Sequence, residues 1–203
     1  MRAFLVLAVL VAPVAAQAGQ SGATPEPLTV VQAPGVRYRA GGLHRFLLGR
    51  QYRGLWTTPV AVTVLSLDPL AGGLKPLGRT GGQQSRTLKL GNSSGEQFFF
   101  RSIDKDPSLA LPVELRGTVA DRVVQDQTSS ANPLAPLVVA RLIAAAGVLR
   151  GTPRLVVLPD DPGLGEFRPE FAGMMGFLEE RVGADSGPAA HWHGASEIIN
   201  SDT

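Results

Sequence analysis

Two alternating runs joined by a tight turn constrain this chain most. In residues 85–90, Thr87 and Lys89 alternate with Leu88 and Leu90; in residues 97–103, Phe98 and Phe100 fall on one side while Phe99 and Arg101 fall on the other. A period of two puts successive side chains on opposite faces of a strand. Asn92, Ser93, Ser94 and Gly95 lie between the runs, so the pattern predicts a β-hairpin with a buried face. After Pro107 the spacing stretches. Leu115, Val119 and Val123 stand four apart, with Pro112 ahead of them and Glu114 in the first turn, which predicts an amphipathic helix. Asn132, Pro133 and Pro136 interrupt it, and an Ala-rich helix follows over residues 137–146, stopped by Gly147. Further strands are expected at residues 60–67, 155–158 and 174–182. The change of period places the chain in the α+β class: an antiparallel sheet of about five strands with two main helices on one face. The expected core takes Val62, Leu88, Leu90, Phe98, Phe100, Val157 and Phe177 from strands, and Leu115, Val119, Val123, Val138 and Leu142 from helices.

The N-terminus reads as an address. Arg2 precedes an apolar run over residues 3–12, too short to span a bilayer, for which about 20 residues are needed. Ala16, Gln17 and Ala18 then form a small-x-small cleavage site, so residues 1–18 are expected to be a signal peptide and the mature protein to be secreted, most simply to a periplasm. No later stretch of transmembrane length lacks Gly, Pro and charge. Residues 19–35 read as a flexible tether, 36–182 as the folded domain and 183–203 as a flexible tail or linker.

Composition removes several chemistries. The chain of 203 residues has no cysteine, which excludes disulfide and thiolate chemistry. Lys plus Arg number 19 against 17 Asp plus Glu, and a formal charge of +2 is far from the dense positive stripe a nucleic acid requires. His191 and His193 flank Trp192 without a third metal ligand nearby, and the adjacent Asp160 and Asp161 point apart, so no metal site is expected. Residues 36–56 interleave Arg37, Arg39, Arg45, Arg50 and Arg53 with Tyr38, Phe46, Tyr52 and Trp56. Such patches bind phosphate or anionic lipid. The expected arrangement here is a surface loop and short helix that docks Leu43, Phe46 and Leu47 on the core.

The strongest ligand signal is an order of parts. Gly81 and Gly82 precede the hairpin, and the second strand ends in Arg101 and, four residues on, Lys105. Amides of a glycine turn can approach phosphate oxygens because no Cβ intervenes, and a cation on the following strand can reach the same group. A plain turn with a bulge is the alternative, since neither the P-loop pattern nor GxGxxG is present. The polar side of the first helix carries Arg116, Asp121, Arg122 and Asp126, which either pair across the sheet or form a solvated face.

The runs Gly72-Gly73-Leu74-Lys75-Pro76, Gly81-Gly82-Gln83-Gln84-Ser85, Phe100-Arg101-Ser102-Ile103-Asp104-Lys105, Leu115-Arg116-Gly117-Thr118, Val124-Gln125-Asp126-Gln127, Leu158-Pro159-Asp160-Asp161-Pro162 and Leu178-Glu179-Glu180-Arg181 carry a resemblance. Over roughly residues 38–182 the chain resembles an exported segment of large outer-membrane surface-antigen-type proteins of the BamA/TamA superfamily. That segment itself resembles the small lobe of HipA-like and CotH-like kinases. The resemblance implies a nucleotide or other phosphorylated ligand, with Gly81, Gly82, Gln83 and Ser85 in the phosphate-covering turn. It also implies Arg101 or Lys105 as the phosphate-pairing cation, Asp121 or Asp126 as that cation's helix partner, and Glu179 and Glu180 in the hinge strand facing the base. Two departures shape the expectation. Arg101 stands where lysine is the rule, and the two are not interchangeable on phosphate. No catalytic-loop Asp followed by Asn, and no DFG-like metal-binding element, occurs before Thr203. The chain is therefore expected to be the nucleotide-binding or phosphate-binding lobe of a kinase-like phosphotransferase, inactive alone, with the natural protein continuing past Thr203. The alternative is a non-enzymatic periplasmic adaptor or binding module, with an outer-membrane or envelope protein as partner.

Overall fold

The computed structural model describes residues 27–68, 73–81, 84–148 and 151–181. The expected signal peptide and C-terminal tail lie outside the described residues, as do Gly82 and Gln83. The strands are β1 (Thr29–Gln32), β2 (Val60–Val64), β3 (Lys75–Thr80), β4 (Ser85–Gly91), β5 (Gln97–Lys105), β6 (Arg154–Val157) and β7 (Met175–Glu180). The helices are α1 (Gly42–Leu48), α2 (Arg53–Thr57), α3 (Val119–Gln127), α4 (Ala135–Ala145) and α5 (Arg168–Phe171).

All the strands join one sheet in the order β1-β2-β6-β7-β5-β4-β3. Neighbours are antiparallel except β2 and β6, which run parallel through Thr63–Val156 and Val64–Val157. The α+β class stands, and the finer expectation is corrected: the sheet has seven strands, not five, and is mixed, not antiparallel. Both edge strands explain the shortfall. β1 is four residues long and forms inside the stretch expected as a tether. β3 contains Pro76 and Gly78, which argue against a strand, but its edge position tolerates a residue without an N–H, and the register shifts between those two residues.

The central strands are covered on both sides. Leu88, Leu90, Phe100 and Leu178 pack with Leu67, Leu74, Leu164 and Phe171 on one face. Ile103, Val157, Met175 and Phe177 pack with Tyr38 and Trp56 on the other, where Leu134 and Leu137 join from the start of α4. The hairpin is as expected, with Leu88 opposite Phe100 and Leu90 opposite Phe98. In its turn Asn92 Oδ1 accepts the N–H groups of Ser94 and Glu96, and Gly95 takes a positive φ.

The helices depart from expectation. The first expected helix is divided: a 3₁₀ turn at Val113–Leu115 ends near Gly117, whose φ is +73°, and α3 begins only after Thr118. Its Leu115, Val119 and Val123 are exposed, as are Val138 and Leu142 of α4, so these expected core residues are not core. Leu43, Phe46 and Leu47 of α1 point outward too, at 74%, 84% and 67% exposure, not onto the core. The physical reason lies on either side of that helix. Tyr38 and Trp56 stack at 4.7 Å between ring centroids and are almost fully buried, anchoring the segment at both ends. The residues between need no core contact of their own. No helix among the described residues is long and apolar enough to cross a membrane.

Candidate functional site

A groove runs between α4 and the sheet face formed by β5 and β7. The alternation of β5 sends Phe99, Arg101 and Ile103 to that face, and β7 adds Phe177 and Glu179 opposite them. Two cavities of about 380 and 430 Å³ adjoin there and share Arg101, Pro136 and Glu179. The first reaches Ser85 and Lys105, which are paired across β4 and β5 at one end of the sheet. The second reaches Phe99, Ile143, Glu180 and Arg181 at the other end. The structure thus brings Ser85, Arg101, Lys105, Glu179 and Glu180 of the sequence-derived residues onto one groove. Gly81 follows the end of β3 on the Ser85–Lys105 side, since Thr80 pairs with Thr87. The Gln84 carbonyl accepts the Asp106 N–H at 2.7 Å, which ties that turn to the end of β5. Gly82 and Gln83 lie outside the described residues.

Two cations of this groove are without a carboxylate partner among the described residues. Neither Arg101 nor Lys105 enters an ion pair among the described residues, and both are exposed. The Arg101 guanidinium lies 5.7 Å from the Phe99 ring centroid and that of Arg181 lies 5.8 Å from the same ring. Such contacts hold a guanidinium in place without consuming its hydrogen-bond donors. The Asn132 side chain at the mouth is fixed through Oδ1, which accepts the Leu134 N–H at 2.9 Å.

The two aspartates of α3 are engaged elsewhere. Asp121 Oδ2 accepts the Gly117 N–H at 2.7 Å and so closes the entry to its own helix. Asp126 receives the Arg53 guanidinium on both oxygens, at 2.7 and 2.5 Å, and His44 Nε2 lies 3.0 Å from Oδ1. The hydrogen-bonded Arg53 holds the Asp126 carboxyl below its usual range, against the opposing effect of burial. The partners of Asp126 are therefore Arg53 and His44, not Arg101 or Lys105.

A third cavity, of about 310 Å³, lies beside the same end of β5 and was not anticipated from the sequence. Apart from Lys105, which lines this cavity as well, its charged groups are engaged. Arg37 donates to Asp104 at 2.7 Å, Arg86 stands 3.9 Å from Glu170, and Asp106 is held by Ser108. The Tyr38 hydroxyl donates to Asp104 at 2.6 Å and receives Gln125 Nε2 at 2.7 Å. Burial first, and the bond to Asp104 second, push the Tyr38 phenol up to about 12. This polar network fastens the 3₁₀ turn at Val36–Tyr38 to β5 and α3. Its partners lie more than 60 residues apart in the chain, as 66 separate Tyr38 from Asp104, so no local spacing reveals them. Among the described residues no group of three or more His, Cys, Asp or Glu could hold a metal ion. No family model, curated protein or solved structure gives a significant match to this chain.

Proposed function

We propose that this chain is an exported binding module that holds a nucleotide or another phosphorylated ligand in the groove between α4 and the β5–β7 face. One observation carries the reading: Ser85, Arg101 and Lys105, which the resemblance assigns to phosphate, and Glu179, which it assigns to the hinge strand, line one cavity whose two cations have no ion-pair partner among the described residues. The phosphates belong at the Lys105 end beside the Gly81 turn, and the apolar part lies toward Phe99 and Ile143. The reading is one of binding and not of phosphoryl transfer, because transfer draws on a catalytic-loop Asp followed by Asn and a DFG-like element, which the sequence before Thr203 lacks. Export to a periplasm rests on the apolar run at residues 3–12 and the Ala16–Ala18 cleavage pattern.

The test is calorimetric titration of the full chain with ATP, ADP and inorganic pyrophosphate. Arg101→Ala and Lys105→Ala should each weaken binding about tenfold, the loss of one charge-assisted contact. Equal affinity in the parent and both variants would end the reading. A second reading, a non-enzymatic adaptor on outer-membrane or envelope machinery, draws on a different observation. Val138, Val139 and Leu142 leave an apolar stripe of α4 exposed.

A further inference from the structure

The outward face of α1 is apolar, in a segment rich in arginine. Leu43, Phe46 and Leu47 are spaced three and four apart, share one side of the seven-residue helix, and are each at least two-thirds exposed. Arg39 precedes them in the chain, Arg45 stands among them and Arg50 follows, all exposed and none in an ion pair among the described residues. No Asp or Glu occurs anywhere from residue 27 to residue 67. The nearby arginines that do find carboxylates, Arg37 and Arg53, take them from β5 and α3.

We propose that α1 is a membrane-docking element that inserts Leu43, Phe46 and Leu47 into the interface of an anionic bilayer, with Arg39, Arg45 and Arg50 on the lipid phosphates. Charge complementarity selects the occupant. Exposed arginines without ion pairs, in a segment with no acid, match a negatively charged surface, and the exposed apolar side chains of the same segment match the headgroup and acyl boundary, where interfacial helices sit. Shape argues the same way. The three side chains project outward from a short helix, and a fluid interface can surround such a protrusion. Anchoring at Tyr38 and Trp56 holds the helix in place before contact, so docking requires little ordering of the backbone.

The test exploits the absence of cysteine, which makes any introduced thiol unique. An environment-sensitive fluorophore is attached to full-length Leu43→Cys and, separately, to Ser94→Cys in the exposed turn at the far end of the hairpin. Each is mixed with vesicles of phosphatidylglycerol and phosphatidylcholine, or of phosphatidylcholine alone, carrying nitroxide-labelled lipid. The label at 43 is expected to shift to the blue and be quenched on anionic vesicles only, while the label at 94 is unaffected. Arg45→Gln with Arg50→Gln should weaken partitioning about tenfold or more. The position-specific readout separates α1 from the apolar run at residues 3–12. Vesicle binding without quenching at 43 would overturn the proposal, as would equal quenching at both positions. So would a label at 43 that responds only to raised protein concentration, meaning a second copy, or only to polyglutamate, meaning an acidic protein partner.

Discussion

Arg53 is 5% exposed, and both ends of its guanidinium fork rest on Asp126. A buried cation whose partner is removed keeps its desolvation cost without the compensating attraction. Asp126→Asn should therefore destabilise the protein by about 3 kcal/mol, read from the denaturant midpoint at neutral pH. The pH dependence has a defined sign. Because Arg53 depresses the native carboxyl, its contribution is complete above the ordinary carboxylate titration near pH 4 and is lost as pH falls through the lowered value. The parent should lose stability over that acid range, and Asp126→Asn should lack this portion of the loss; identical acid profiles would refute the assignment. At this scale the chain was legible where a short-range rule applied. The strand period put Arg101 with Phe99 on one face, and that is where they lie. It could not pair Asp126 with Arg53, because 73 residues separate them and only the assembled fold makes them neighbours.

Strands and helices differ in how far their own pattern determines their burial. A strand in the middle of a sheet has its two faces defined by alternation, so Leu88, Phe100 and Phe177 could be read as core directly. A helix buries whichever stripe the rest of the chain covers. α4 is apolar nearly all round, and the side that meets the sheet carries Leu137 and Ala140 while Val138 and Leu142 face out. Close approach of elements also leaves marks that composition hides. A Cβ built at Gly176 in β7 falls 2.5 Å from the Arg101 carbonyl oxygen on β5 and onto the Phe100 ring. Gly176→Ala should cost about 1–3 kcal/mol, because neither a paired backbone nor a buried ring can yield freely. Gly54 on α2 meets nothing within 4 Å, so Gly54→Ala should instead stabilise by about 0.5–1 kcal/mol. Thermal unfolding of the two variants against the parent checks both signs at once.

At the scale of the molecule, the sheet is built from two groups: β1, β2 and β6 on one side, and β3, β4 and β5 on the other, with β7 hydrogen-bonded to both β6 and β5. The parallel contact between β2 and β6 joins distant parts of the chain, which no local pattern announces. Hydrogen exchange should rank the strands accordingly. Amides of β5 and β7, buried between neighbours, should exchange slowest, and those of β1 and β3 at the edges should open first. Protection of β1 equal to that of β7 would contradict the topology.

The position of β7 has a consequence for the order in which such a sheet can be completed. It is the last strand in chain order among the described residues, yet it is the keystone between the two halves of the sheet. During synthesis from the N-terminus, the two halves cannot hydrogen-bond through β7 until residues 175–180 have been made. Completion of the sheet is thereby deferred to the last of its strands in chain order among the described residues.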